Sequence, residues 1–252
     1  MKQRMGLGAY NLWIAIVFLF LLSVCFLFFL LKFNKGIFAR NVIVLAAVCI
    51  LIIVVFKSLL VVNVEMIHFL QYAILALLLL PLIRNYRETY AASVVLGCMD
   101  EAYQYIVLNP DFPYFDFNDT LLNAFGALLG LSFIAPFLRQ YSIDFLREIR
   151  LYKSPGLYLF SGVLLLGITG ILFNIMSLYP SSGNDPVLFT LNRQPFHTEF
   201  WTALYHGRSY HVLSPLEGYV FLLLPWGAML LYDRLEARSK KRRLCSVLAQ
   251  NP

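Results

Sequence analysis

The chain has 252 residues, of which 60% are hydrophobic and only 13% are charged, and its mean hydropathy is +0.72. This composition is typical of a multi-pass membrane protein and excludes a large soluble domain. The net charge of +6 comes from basic residues between apolar segments, which is a topology signal. We therefore expect the lipid bilayer as a partner and no nucleic acid.

Seven apolar segments follow one another along the chain. They cover residues 10–31, 41–62, 66–83, 90–108, 120–138, 156–178 and 216–232. Most approach the ~20 residues that a helix needs to cross ~30 Å of hydrocarbon, although the third and seventh are shorter. The sequence therefore predicts an all-α fold, a polytopic membrane helix bundle of about seven transmembrane helices.

The basic residues between these segments predict the orientation of the bundle. Fifteen of the 20 lysines and arginines fall on one side, including the six of the tail after residue 232. By the positive-inside rule that side is cytoplasmic, so the C-terminus lies inside and the N-terminus outside. The tail is then a short topological anchor that also meets anionic lipid.

Polar groups are concentrated in residues 97–130, inside or beside two of the apolar segments. They are Asp100, Glu101, Gln104, Asp116, Asp119 and Asn123. A carboxylate near the middle of a membrane helix costs roughly 2.5 to 3.5 kcal/mol on insertion scales, so such groups usually face a bundle interior or a wet cavity. Their placement therefore indicates that these side chains serve a site or a helix contact inside the bundle.

Spacing predicts which way these groups face. Asp100 and Glu101 lie four and three residues before Gln104, so all three occupy one sector of a helix. A second stripe, at alternating steps of three and four, runs through Asp116, Asp119, Asn123, Gly126 and Gly130. The two glycines form a GxxxG pair, which lets a neighbouring backbone approach closely, so we assign them to helix packing.

The predicted topology brings the polar groups to one side of the membrane. The fourth segment runs outward and carries Asp100, Glu101 and Gln104 in its outer half, and the fifth begins outside near Asp119. The third segment also begins outside, with Glu65 and His68 three residues apart on one face. We therefore predict a polar pocket that opens toward the extracytoplasmic leaflet.

In order along three consecutive predicted helices, the chain carries His68-Phe69, then Glu101-x-x-Gln104, then Asp119, Asn123, Gly126 and Gly130. In this combination it resembles the VanZ-like family of bacterial membrane proteins over residues 41–138. We accordingly divide the chain into residues 1–40, an N-terminal transmembrane helix and cytoplasmic loop; 41–138, a VanZ-like core; and 139–252, two further helices with a long outer loop and the basic tail.

The resemblance implies a multi-pass protein of the bacterial cytoplasmic (inner) membrane that is linked to the cell envelope, with a family association to low-level glycopeptide resistance of the teicoplanin type. Two features depart from the family pattern. Val64 and Glu65 stand where members often carry Asp-Lys, and an acidic, aromatic loop replaces one that often carries an arginine. An anion-binding role for that loop is therefore not expected.

The outer loop, residues 179–215, holds every histidine except His68. His197, Glu199, His206 and His211 are candidate metal ligands, but their spacing matches no recognised zinc motif, so neither a metal nor a cofactor is predicted. The many aromatic residues suit the headgroup region of a membrane, and the loop's length also suits a lid over the polar pocket.

Four roles for the polar groups remain open. The first role is an enzyme site for a lipid-linked or amphipathic envelope substrate. Its catalytic residues would be His68, Glu101, Gln104, Asp119 and Asn123, and the residues that bind substrate would be Glu65, Asp100 and Asp116. In this reading Glu101 and His68 form a proton-transfer pair. The alternatives are a binding or accessory protein without chemistry, a proton-coupled transporter, and polar contacts that serve only helix assembly.

Overall fold

The computed structural model describes residues 35–59, 63–108, 114–140, 149–180, 187–192, 194, 199–203 and 209–231, with scattered positions between 12 and 27. Within this part of the chain the fold is mostly helical, which confirms the all-α class. Its helices are α1 (Lys35–Ser58), α2 (Ile67–Ile83), α3 (Tyr86–Tyr103), α4 (Phe117–Gln140), α5 (Pro155–Leu172) and α6 (Pro215–Leu231).

Two of the described helices are long and apolar enough to cross a membrane, through Phe117–Ala135 of α4 and Pro155–Leu172 of α5. Shorter apolar stretches occur at Ala46–Val55, Ile67–Ile83 and Pro215–Leu231. The first predicted segment, 10–31, lies largely outside the described residues, as does the tail from 232 to 252. A bundle of seven spans therefore stays a prediction.

Helix α3 begins four residues before the predicted boundary at residue 90. The Asn85 side chain accepts a hydrogen bond of 3.1 Å from the backbone N–H of Glu88, which is an N-terminal cap. The preceding helix ends at Arg84, whose left-handed backbone (φ 59°) lets its N–H reach Leu80 O. Because hydropathy does not register caps, the apolar pattern placed this start too late.

Helix α4 lies at the centre of the bundle and packs against α1, α2 and α3. Its contact with α2 is close because two glycines face the α2 backbone. A Cβ atom at Gly126 would lie 2.7 Å from Phe69 O, and one at Gly130 would overlap Ala73 O. The GxxxG pair therefore sets the distance between these two helices.

Helices α5 and α6 complete the described bundle on the far side of α3. The Tyr90 hydroxyl of α3 donates to Leu222 O at 3.1 Å, and the Tyr219 hydroxyl of α6 donates to Phe160 O at 3.0 Å. The rings of Phe160 and Trp226 meet edge to face at 5.9 Å. Each bond gives a tyrosine hydroxyl an acceptor on a neighbouring helix, which ties α3, α5 and α6 together.

The segment between α5 and α6 contains short strands that the sequence did not predict. Strands β1 (Met176–Ser177) and β2 (Phe189–Thr190) pair in parallel, and β3 (Thr202–Ala203) and β4 (Ser209–Tyr210) pair antiparallel. The segment is joined to the bundle where Phe115 N–H donates to Thr190 O and His211 N–H donates to Ser58 O, both at 2.7 Å. It therefore covers one end of the bundle.

Candidate functional site

The candidate site lies at the end of the bundle where α2 and α4 begin and α3 ends, which we call the acidic end. Nδ1 of His68, in the first turn of α2, lies 2.8 Å from Oδ1 of Asn123 on α4. Because an amide oxygen only accepts, His68 donates from Nδ1, and Nε2 takes no part in this bond. This bond holds the imidazole in one orientation.

Glu101 of α3 is fully buried beside this pair. Both of its carboxyl oxygens, and Nδ2 of the equally buried Asn123, lack a hydrogen-bond partner among the described residues. The Asn123 amide is close enough to influence the Glu101 carboxyl as a hydrogen-bond donor, although the two groups do not meet in full hydrogen-bond geometry. A buried polar group without a partner is costly, so Glu101 and Asn123 are the side chains of this site whose burial needs an explanation.

Several further carboxyl groups surround Glu101. The charges of Asp116, Asp100 and Glu65 all act on it. Asp116 is buried and accepts a hydrogen bond of 2.9 Å from the backbone N–H of Asn118, whereas Asp100 is exposed. The acidic end therefore combines a buried carboxyl group with an exposed one that directly precedes it in the chain.

Three other residues of the predicted site are half-buried. Glu65 is half-buried in the 3₁₀ turn Asn63–Met66, and Gln104 is half-buried in the π-helical turn Gln104–Leu108 that follows α3. Asp119 is half-buried in the first turn of α4. The structure thus joins His68 to Asn123, sets Glu101 beside them, and forms no hydrogen bond between His68 and Glu101.

Two residues that the sequence analysis did not assign belong to the same site. The Tyr72 hydroxyl donates to Asp100 Oδ2 at 3.4 Å. A Cβ atom at Gly97 would lie 3.1 Å from Asn123 Cβ and 3.3 Å from Tyr72 Cε1, so the missing side chain lets α3 approach both residues. Tyr72 follows His68 by four residues on one helix face, a spacing that predicts this proximity.

A third unassigned residue, Asn118, holds the covering segment onto the acidic end. Its buried side-chain Nδ2 donates to Leu59 O at 3.1 Å and to His211 O at 2.8 Å, and its Oδ1 accepts from Leu213 N–H at 2.9 Å. One amide therefore connects α1, α4 and the segment that precedes α6. No sequence pattern pointed to it, because these partners are main-chain groups distant in sequence.

We expect Asn118→Ala to lower the free energy of unfolding by about 2 kcal/mol, because two carbonyl groups and one N–H lose a shared partner. The change is measured by denaturant titration of the purified full chain. Ser93→Ala is the matched control, since the buried Ser93 hydroxyl bonds only Thr89 O of its own helix, at 2.9 Å. An equal, small loss in both variants would contradict this role.

The outer-loop residues offer no metal centre in the part of the chain that the structure describes, where no three His, Cys, Asp or Glu side chains are grouped for one ion. His197 and His206 lie outside the described residues. His211 instead stacks on Phe200 at 4.0 Å, and its Nε2 lies 3.4 Å from Glu217 Oε2. These contacts connect the covering segment to the start of α6.

A second buried polar cluster lies at the opposite end of α3. Arg87 and Glu88, each only 2% exposed, form an ion pair of 2.9 Å. Glu88 also accepts from the Ser154 hydroxyl at 2.6 Å and from Gly156 N–H at 2.5 Å. This cluster fastens the start of α5 to α3 and is separate from the acidic end.

The chain was compared with known proteins by sequence and by fold. No protein-family model, no curated protein and no solved structure matches it.

Proposed function

We propose that this chain is a polytopic membrane protein of about seven spans, related to the VanZ-like family, whose acidic end faces the extracytoplasmic leaflet and acts on an amphipathic or lipid-linked envelope substrate. The observation that carries the proposal is the pair of unsatisfied, fully buried polar groups, the Glu101 carboxyl and the Asn123 Nδ2. Groups kept buried without partners are expected to be completed by a ligand.

The membrane location is supported by the two long apolar helices and by the outward face of α5. That face exposes a run of large apolar side chains, Leu164, Leu165, Ile168 and Leu172. Contact with lipid gives such a face an apolar environment. The proposed sidedness follows from the distribution of basic residues, and reporter fusions placed within residues 109–113 and 141–148 test it, since these segments should lie on opposite sides.

In the proposed reaction the carboxyl group of Glu101 exchanges a proton with a substrate group, and His68 completes the transfer through Nε2. Asn123 positions His68 through its Oδ1 and offers Nδ2 to a substrate oxygen. A positioned acid or base contributes about 10² to 10⁴ in rate. Tyr72 and Asp100, which are hydrogen-bonded to each other, guide the substrate toward Glu101.

Binding without chemistry is the second candidate, and one observation favours it. His68 is bonded to Asn123, and no hydrogen bond links it to Glu101. The acidic end is therefore not a preassembled proton-transfer pair before a ligand arrives. A receptor or accessory protein needs only the unsatisfied groups, whereas an enzyme needs the ligand to bridge them.

The test replaces Glu101 by Gln and His68 by Ala in the host. We expect both variants to reach normal membrane abundance and to melt within a few degrees of the unmodified chain, while lipid-linked envelope intermediates and teicoplanin sensitivity change to those of a deletion strain. Glu217→Gln, which removes a partly exposed carboxyl group elsewhere, is the control and should retain the phenotype.

If the phenotype only follows abundance, the polar groups serve helix packing and the proposed function is wrong. If Glu101→Gln loses the phenotype and His68→Ala keeps it, the binding protein is favoured over the enzyme. Both readouts come from the same strains, so loss of folding and loss of function are separated.

A further inference from the structure

We infer that the acidic end recognises a positively charged amino group that carries a neighbouring oxygen atom, rather than a phosphate or another anion. This inference rests on the function proposed above and specifies the substrate class of the same site. Its basis is the hydrogen-bonding capacity that Glu101 and Asn123 leave unused, together with the sign of the surrounding charge.

The charged neighbours that act on Glu101 are all acidic. Asp116, Asp100 and Glu65 act on it, and no lysine or arginine of the described residues pairs with it. An anion would meet repulsion here, whereas a cation would relieve it.

The unused hydrogen-bonding atoms specify the ligand further. Glu101 presents two buried acceptors and Asn123 presents one buried donor. An ammonium group supplies N–H donors to the carboxylate, and a hydroxyl, ether or carbonyl oxygen on the adjacent carbon accepts from Nδ2. Amino sugars and the ethanolamine headgroup of lipids both have this arrangement.

The proposed order of contacts begins at the exposed side of the acidic end. Asp100 is exposed, and it directly precedes the buried Glu101 on α3. The cation would meet Asp100 and Tyr72 first and then move inward by one residue to Glu101. His68 is half-buried on the facing helix.

The test is calorimetric titration of the full chain in phosphatidylcholine nanodiscs with 1-amino-2-octanol. Its N-acetyl derivative, which has a neutral amide in place of the ammonium, and octyl phosphate are the matched ligands. We expect saturable binding of the amine alone, and about tenfold or more weaker binding to Glu101→Gln. Glu217→Gln is the control variant and should bind the amine like the unmodified chain.

Two competition arms identify the source of the amine. Phosphatidylethanolamine in the nanodisc should compete, and its N-acylated form should not, if the ligand is a lipid headgroup. Glucosamine should compete, and N-acetylglucosamine should not, if the ligand is an amino sugar. Competition in either arm supports the inference, and amine binding without competition supports it while excluding both sources.

Equal binding of the amine and its N-acetyl derivative, tighter binding of octyl phosphate, or unchanged binding to Glu101→Gln would overturn the inference. If Glu101→Gln does not fold, Glu101→Asp takes its place and must keep the preference for amine over amide. Loss of the envelope phenotype in Glu101→Gln without amine binding would leave the proposed function standing and reject the amine. If amine binding depends on Glu101 but Glu101→Gln keeps the envelope phenotype, the amine inference stands and the proposed function is rejected.

Discussion

Replacing Glu88 by Ala is expected to lower the free energy of unfolding by about 3 to 5 kcal/mol, because it leaves a buried arginine without its carboxylate. Arg87 and Glu88 are both 2% exposed, and Glu88 accepts three further hydrogen bonds, from Arg87 Nε, Ser154 Oγ and Gly156 N. The Arg87 guanidinium would retain Ile149 O at 3.0 Å and the ring of Trp226 at 5.7 Å. Denaturant unfolding of the purified chain measures the change.

The double variant Arg87→Met with Glu88→Leu is the informative companion. Removing both charges together leaves no unpaired ion, so we expect it to lose much less stability than Glu88→Ala alone. Glu217→Gln, which changes a partly exposed carboxyl group, is the control and should lose little stability. If Glu88→Ala costs less than about 1 kcal/mol, a value typical of surface pairs, the cluster does not fasten α5 to α3.

Replacing Gly130 by Leu is expected to cost about 3 kcal/mol or to prevent assembly of the bundle. The added Cβ would overlap Ala73 O and lie 2.9 Å from Ala73 Cα. Backbone atoms of a packed helix cannot move aside as a side-chain terminus can, so α2 and α4 would have to separate. Thermal melting and protease resistance of the membrane-embedded chain report the loss.

Gly162→Leu on α5 is the matched control, since a Cβ atom there would have nothing within 4 Å. This change should be neutral or stabilising, because leucine favours a helix more than glycine does. A smaller variant, Gly126→Ala, should fall between the two, with its Cβ 2.7 Å from Phe69 O. Equal stability of Gly130→Leu and Gly162→Leu would rule out close packing through the GxxxG pair.

The helical class and much of the acidic end follow from local sequence patterns. The step of three and four residues places Asn123, Gly126 and Gly130 on one face of α4, and in the structure that face meets α2. Such predictions succeed because the period of a helix is a property of the backbone and needs no knowledge of the neighbours.

Other features depend on contacts that no local pattern encodes. Arg87 counted in the sequence as one of the basic residues between two apolar segments, yet it lies in the first turn of α3 and pairs with buried Glu88. Hydropathy treats a charge as a loop signal, but a charge with a partner and hydrogen bonds can be buried. The role of Asn118 was not predicted for a related reason. Its partners are main-chain groups, which every residue type has, so no pattern of side chains identifies them.

From its sequence alone, this protein is determined to be helical and rich in apolar segments, with unusual polar groups near residues 97–130, because composition and periodicity are local properties. Only the tertiary structure decided that His68 pairs with Asn123 while Glu101 stays buried without a partner beside them. Distances between helices depend on the close approach that glycines allow, at Gly97 to the side chains of Asn123 and Tyr72 and at Gly130 to the backbone of Ala73. That information exists only when all the helices are assembled together.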